Sequence, residues 1–225
     1  MSTATAIRQP SFASPVSIRQ RQQPATVPPV RISTERISDD KLCRRVDAYL
    51  KTLGSIEANR LEAETTAAGE IERAIQAAAG GEIVELKTIR DAIAKRTNSE
   101  FAFLVKELGL IASAKKLAVD LQQFASDNLS ESERQKKSMA ETVRRQLNDA
   151  GLGLESQPGF PHNIEAAKIQ FESQVNRSEQ TRAATEHVAE ANQLVEYVHT
   201  FTRRLDERKA AIVAAMRELV RGLPA

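Results

Sequence analysis

Apolar residues recur at alternating intervals of four and three along much of this chain, which is the spacing of helices that pack against other helices. The pattern is clearest between residues 42 and 77, where only Arg60 and Glu70 interrupt it. Ser38 followed by two aspartates is typical of a helix start, and the pair Gly80-Gly81 is typical of a helix end. We therefore predict a first helix over residues 38–79, with bulky inner residues in its first half and alanines in its second.

Two further helices are predicted before residue 151. Apolar spacing indicates a helix over residues 82–127, with Thr97-Asn98-Ser99 as a candidate break because their side chains compete for backbone hydrogen bonds. The segment Ser130-Glu131-Ser132-Glu133 has the form of a capping box, in which a hydroxyl and a carboxylate satisfy backbone donors. It predicts the start of a third helix over residues 130–150.

The last proline-free stretch predicts one helix over residues 163–221, which at 1.5 Å per residue is about 88 Å long. Its heptad pattern has polar residues, Thr202 and Lys209, at two positions of the inner row. So long a helix exceeds what a small core requires, and its seam is a candidate surface for a partner or a second copy. The residues of this candidate seam are Val188, Val195, Val198, Leu205, Ile212, Met216 and Leu219.

Glycine and proline crowd together inside the helical region in one segment, residues 149–163. A dinucleotide-binding loop needs a third glycine where this chain has Ser156, and a phosphate loop needs a terminal Gly-Lys-Ser/Thr that is missing. Gly151 instead fits the end of one helix, and Asn163 fits the cap of the next. We interpret the segment as a corner between helices.

Composition agrees with long helices and argues against an enzyme. Ala, Glu, Lys, Arg and Leu make up close to half of the 225 residues, while tryptophan is absent. The pair Glu196 and His199 has the Glu-x-x-His spacing of di-iron bundles, but no second such motif accompanies it. The single cysteine, Cys43, has no nearby histidine in sequence to activate it. We expect no catalytic site, no bound metal and no cofactor.

Residues 1–34 differ from the rest, with four arginines, no lysine and no acidic residue. Their low apolar content predicts a disordered tail, because too little surface is available to offset the entropy of ordering. We expect a cytoplasmic protein without a membrane span, and the tail composition leaves organelle targeting or export open as alternatives.

The sequence thus predicts an all-α fold: an elongated antiparallel bundle or coiled coil of three to four helices, preceded by the tail. Our leading hypothesis is a non-enzymatic interaction or assembly protein of the scaffold or adaptor type, whose partner is another protein or a second copy, as in a homo-oligomer. The first alternative is nucleic-acid binding by a helix–turn–helix within residues 86–111, and the second is a metal-binding bundle protein with Glu196 and His199 as ligands. The nucleic-acid contacts would be Arg90, Lys95, Arg96 and Lys106. The near-balanced net charge of +2 argues against nucleic acid as a partner of the whole chain.

Overall fold

The computed structural model describes residues 28–35, 37–81 and 85–221. These residues form four α-helices: α1 (Asp40–Ala79), α2 (Leu86–Asp149), α3 (Ile164–Arg177) and α4 (Glu179–Arg221). A short 3₁₀-helix, Leu154–Ser156, lies between α2 and α3. α2 packs antiparallel to α1 and also to α3 and α4, so the predicted all-α, antiparallel architecture is confirmed.

Local capping signals explain where α1 begins and ends. The Asp39 carboxylate accepts a hydrogen bond from the Leu42 backbone N–H at 2.8 Å, which satisfies one of the free donors of the first turn. The helix stops at Gly80, and Gly81 follows with a φ of 84°, a conformation that glycine adopts without strain. These bounds lie within two residues of the predicted ones.

α2 is one uninterrupted helix of 64 residues, about 96 Å long at the usual rise per residue. The candidate break at 97–99 is absent, and the separate helix predicted from Ser130 is wrong. Glu131 does not cap a helix start; it accepts hydrogen bonds from Arg134 and Gln135 one turn further along the same helix. Such pairs three and four residues apart support a continuing helix. The polar run around residue 130 is therefore a solvated stretch of helix.

The single helix predicted over residues 163–221 is also wrong, because it breaks at Ser178. Ser178 has an extended backbone (φ −60°, ψ 143°), and its Oγ accepts a hydrogen bond from the Thr181 backbone N–H at 3.2 Å. Glu179 follows in the first turn of α4, where the helix dipole favours a negative charge. Ser178 thus ends α3 and caps α4.

α4 is also rotated relative to its predicted heptad register. Thr202 is half-buried and Lys209 is exposed, although both were placed on the inner row. Phe201 and Arg208, one position earlier, point into the core instead. Burying the phenyl ring of Phe201 removes much more apolar surface from water than burying Thr202, so this rotation is the more stable one.

The chain before α1 is partly packed, which corrects the predicted end of the tail. Val30 and Ile32 are each 4% exposed and belong to the main core. The Tyr49 hydroxyl donates a hydrogen bond to the Val30 carbonyl, and the Ser33 backbone N–H donates one to the Tyr197 hydroxyl. Residues 28–34 therefore bind α1 and α4, while the tail prediction for residues 1–27 falls outside the described residues.

The described chain has three parts with different packing. In the central section, α1 residues 40–60, α2 residues 101–127 and α4 residues 188–221 enclose the main core. The hairpin arm consists of α1 residues 61–79 and α2 residues 86–100. The corner end, residues 128–187, has a small second core made by Val143, Phe171 and Val175. As predicted, its glycine- and proline-rich segment is a turn between helices, and the Asn163 side chain caps α3.

Candidate interaction surface

A buried ion pair fixes how α4 lies against α2. The Arg208 guanidinium donates two hydrogen bonds to the Glu107 carboxylate, with Nε–Oε1 and Nη2–Oε2 distances of 2.6 and 2.8 Å. Glu107 and Arg208 are 6% and 8% exposed. A two-point contact between planar groups restricts both sliding and rotation of one helix against the other. The pair therefore sets the register of the last turns of α4.

Beyond this pair, α2 and α4 leave an open groove on the side of α4 that faces away from α1. We call it the α2–α4 groove; it is shallow and open to solvent, with a volume of about 520 Å³. Two of its apolar side chains are well exposed, Phe101 at 37% and Val220 at 57%. The groove is lined by Phe101, Leu108, Val213, Met216, Arg217, Val220 and Arg221.

Heptad spacing explains why the groove is apolar at this end. On the same side of the two helices, Lys115 of α2 forms an ion pair with Asp206 of α4. One heptad further toward the end of α4, these two positions become Leu108 and Val213. At this end of the two helices, the ion pair is thus replaced by two apolar side chains that remain accessible to water.

Positive charge borders the groove. The two charged residues that line it are Arg217 and Arg221, both exposed on the last turns of α4. No acidic side chain is among the described residues that line it. An apolar floor with cationic neighbours is complementary to an amphipathic segment that carries acidic residues.

A second exposed surface lies on the hairpin arm. Leu61, Ala68 and Ile75 are seven residues apart and share one face of α1, with Glu72 between the last two. Leu61 and Ile75 are 67% and 50% exposed. We call these four residues the arm stripe. Around it, residues 61–79 contain four glutamates and a single arginine, Arg73, so this part of α1 is acidic.

The structure divides the predicted partner seam of the last helix. Val198, Leu205 and Ile212 are covered by the chain's own helices in the main core. Met216 lines the α2–α4 groove. The other three, which are half-buried, are Val188, Val195 and Leu219. A partner role stays a prediction only for the members that remain accessible.

The helix–turn–helix hypothesis loses its structural basis, because residues 86–111 lie within α2 without a turn. Two of the proposed contacts are engaged in the arm: the Lys95 ammonium lies 2.9 Å from the Glu70 carboxylate, and Arg96 lies 3.7 Å from Glu64. Lys106 lies over the ring of Phe103. Arg90 is exposed. These four residues do not form one recognition surface at a helix start.

The candidate metal ligands and the single cysteine lie on different helices. Glu196 and His199 are both exposed on α4. The part of the chain that the structure describes contains no group of three or more His, Cys, Asp or Glu side chains able to hold a metal ion. The Cys43 thiol donates a hydrogen bond to the Ile37 carbonyl at 2.9 Å. Among the described helices, none is long and apolar enough to cross a membrane.

Sequence reasoning missed the Glu107–Arg208 pair, although a signal was present. Glu107 lies between Leu104 and Ile111, and Arg208 lies between Leu205 and Ile212. An acidic residue on the apolar stripe of one helix and a basic residue on the apolar stripe of another indicate a buried ion pair between them. An unpaired charge at such a buried position would be strongly unfavourable.

Comparisons of the chain with protein-family models, curated proteins and solved structures give no significant match. The function must therefore be argued from the geometry and chemistry of the groove and the arm.

Proposed function

We propose that this protein is a non-enzymatic interaction protein that binds an amphipathic helix of a protein partner in the α2–α4 groove. The observation that carries this proposal is the exposure of Phe101 and Val220 in an apolar groove bordered by Arg217 and Arg221. An uncovered apolar surface of this kind on a water-exposed helix pair is typical of a binding site.

The shape of the groove favours a helix as the bound element. Its walls are two antiparallel helices, and a third helix packs well into such a groove through residues spaced three and four apart. The flexible thioether of Met216 in the lining adapts to different side chains of a ligand. The expected ligand therefore presents an apolar stripe along one helical face.

The two arginines define the charge of that ligand. Since Arg217 and Arg221 lie one turn apart on α4, they offer two positive charges along the groove. Acidic residues beside the apolar stripe of the ligand would pair with them and would raise the association rate at low salt. A basic helix would be repelled.

In-cell photocrosslinking tests the proposal. A photoreactive amino acid at Val220 lies in the groove, while one at Ile169 on α3 is a matched control, since Ile169 is equally apolar and exposed. We expect discrete protein adducts from position 220 and none from position 169. The charge reversal Arg217→Glu with Arg221→Glu should remove the adducts. Equal crosslinking at both positions, or none at position 220, would contradict a binding role of the groove.

A further inference from the structure

The arm stripe and the α2–α4 groove are complementary surfaces on the same chain. One is an exposed apolar row on an acidic helix, and the other is an exposed apolar groove beside two arginines. The Ile75 end of the arm stripe does not reach the groove within one chain: Glu70 contacts Lys95, so Ile75 lies on the far side of Lys95 from Phe101 and the groove. α1 and α2 hold this separation because they pack as one hairpin.

We propose that the arm stripe of one copy docks in the α2–α4 groove of a second copy, so that the protein assembles head to tail. This inference rests on the proposed function of the groove and names its occupant. The contact joins two different surfaces, and it therefore leaves one free arm and one free groove on each dimer. Further copies can add at both ends, which gives a filament or a closed ring.

The dimensions of the two surfaces agree. The groove extends over eight residues of α2, from Phe101 to Leu108, and over eight residues of α4, from Val213 to Val220; the end residues are seven positions, or about 10 Å, apart. Ala68 and Ile75 are also seven residues apart. The small Ala68 side chain allows close approach of the helix backbone, while Ile75 supplies the larger apolar group.

Charge favours this head-to-tail contact over symmetric contacts. Two grooves facing each other would bring Arg217 and Arg221 of one copy against the same arginines of the other. Two arm stripes facing each other would bring Glu72 and its acidic neighbours together. Groove against arm places Glu72, between Ala68 and Ile75, beside the arginines. Of these three combinations, groove against arm is the one that joins surfaces of opposite net charge, and contacts between surfaces of like charge are unfavourable.

Two turns of helix in a groove form a small interface, so we expect association that depends on concentration and weakens with salt. Sedimentation and light scattering of the full chain over a concentration series should show a mass that rises above that of one chain. The control variant Val119→Asp changes a side chain that is 66% exposed and lies outside both surfaces, and it should assemble as the unmodified chain does.

Two variants then test which surfaces are involved. The groove variant carries Arg217→Glu and Val220→Asp, and the arm variant carries Glu72→Arg and Ile75→Asp; all four positions are exposed. Each variant alone should remain a monomer with unchanged helical circular dichroism. A mixture of the two should form a dimer of twice the mass of one chain, and nothing larger. The intact arm of the groove variant still fits the intact groove of the arm variant.

The possible outcomes separate this inference from the proposed function. A strictly monomeric unmodified chain, an arm variant that still assembles alone, or a mixture that stays monomeric would each overturn the head-to-tail contact. If crosslinks at Val220 persist while the unmodified chain is monomeric, the groove binds another protein and only the present inference fails. If those crosslinks and the assembly are both absent, the proposed function fails as well.

Discussion

The central section and the hairpin arm are built from the same two helices, yet they bury very different side chains. In the central section Val46, Leu121 and Leu205 are completely buried, and α1, α2 and α4 all contribute side chains to one core. In the arm, among the side chains that the structure describes, Ala67 is the one buried residue, and it is still 6% exposed. Ile75 and Ile93 are half exposed there.

The two regions of this helix pair are therefore stabilised in different ways. Burial of branched and aromatic side chains stabilises the central section by the hydrophobic effect. The arm relies on alanine, which favours helix, and on exposed ion pairs such as Lys95–Glu70, which contribute little. The arm can therefore change its surface residues with little effect on folding, which suits a binding element.

A substitution in the buried Glu107–Arg208 ion pair of the central section should have the largest effect on stability. Glu107→Gln removes the carboxylate that binds the buried Arg208 guanidinium, and we expect a loss of about 3–5 kcal/mol in the free energy of unfolding. Chemical denaturation followed by circular dichroism measures it. Lys115→Met, which removes a comparable but exposed pair with Asp206, is the control and should cost less than about 1 kcal/mol. A similar loss in both variants would mean that burial of the Glu107–Arg208 pair does not matter.

Truncating one apolar residue in each region compares their cores directly. Leu205→Ala should destabilise the protein by about 2–5 kcal/mol, because it leaves a cavity in a fully buried site. Ile75→Ala in the arm should change the free energy of unfolding by less than about 0.5 kcal/mol, since that side chain is half exposed. Urea denaturation of both variants checks this. Equal effects would refute the division between the two regions.

Alkaline pH should weaken the central section in particular. Burial raises the pKa of Tyr49 from 10.0 to about 12, and the nearby Glu107 and Glu57 carboxylates add to the rise. Above pH 10 the unfolded chain loses this proton while the folded chain keeps it, so stability falls as pH rises from 10 to 12. The expected loss is about 2–3 kcal/mol, from about 1.4 kcal/mol for each pH unit.

Denaturation midpoints measured at several values of pH between 9 and 12 test the role of Tyr49. Tyr49→Phe should be less stable at neutral pH, because it loses the hydrogen bond to the Val30 carbonyl. It should, however, lose less stability than the unmodified chain over the alkaline range. The same pH slope in both proteins would assign the alkaline effect to other groups.

The smallest effect is expected for the ion pair in the arm. Lys95→Ala removes the ion pair with Glu70, in which the Lys95 and Glu70 side chains are 66% and 31% exposed. It should lower the free energy of unfolding by less than about 1 kcal/mol. Because salt screens exposed charges, the difference between variant and unmodified protein should shrink in 1 M salt. A large, salt-independent loss would show that the arm is held together more tightly than its burial indicates.

The sequence predicted the presence of helices correctly, but it misplaced the breaks between them. Periodicity, the predicted helix start at Ser38 and the cap at Asn163 led to the right fold class, because these signals are local, although the cap of α1 is Asp39 instead of Ser38. The run Ser130–Glu133 and the residue Ser178 carry similar capping signals, yet only Ser178 interrupts a helix. The difference depends on which partner helix lies alongside, which is tertiary information.

The candidate site was less predictable than the fold. Met216 was identified from its heptad position, but the groove also needs Phe101 and Leu108, which come from a distant helix. Its location depends on the rotation of α4 by one position, and that rotation depends on Phe201 and Arg208 finding their contacts on other helices. The charges on the two apolar stripes indicate that Glu107 and Arg208 pair, but no pattern in the sequence shows that Phe201 packs against Tyr49 or that Phe101 and Leu108 lie beside Met216.

The packed segment before α1 also has a consequence for synthesis. The Tyr197 hydroxyl, which accepts a hydrogen bond from the Ser33 backbone N–H, is synthesised 164 residues after Ser33. At about 5–20 residues per second, the ribosome needs roughly 10–30 s to make the intervening chain. The hairpin of α1 and α2 is made before α4, so Val30 can bind Tyr49 of α1 early, whereas the contact between Ser33 and Tyr197 must await α4. The segment before α1 is therefore fixed in two steps, the second of which depends on α4.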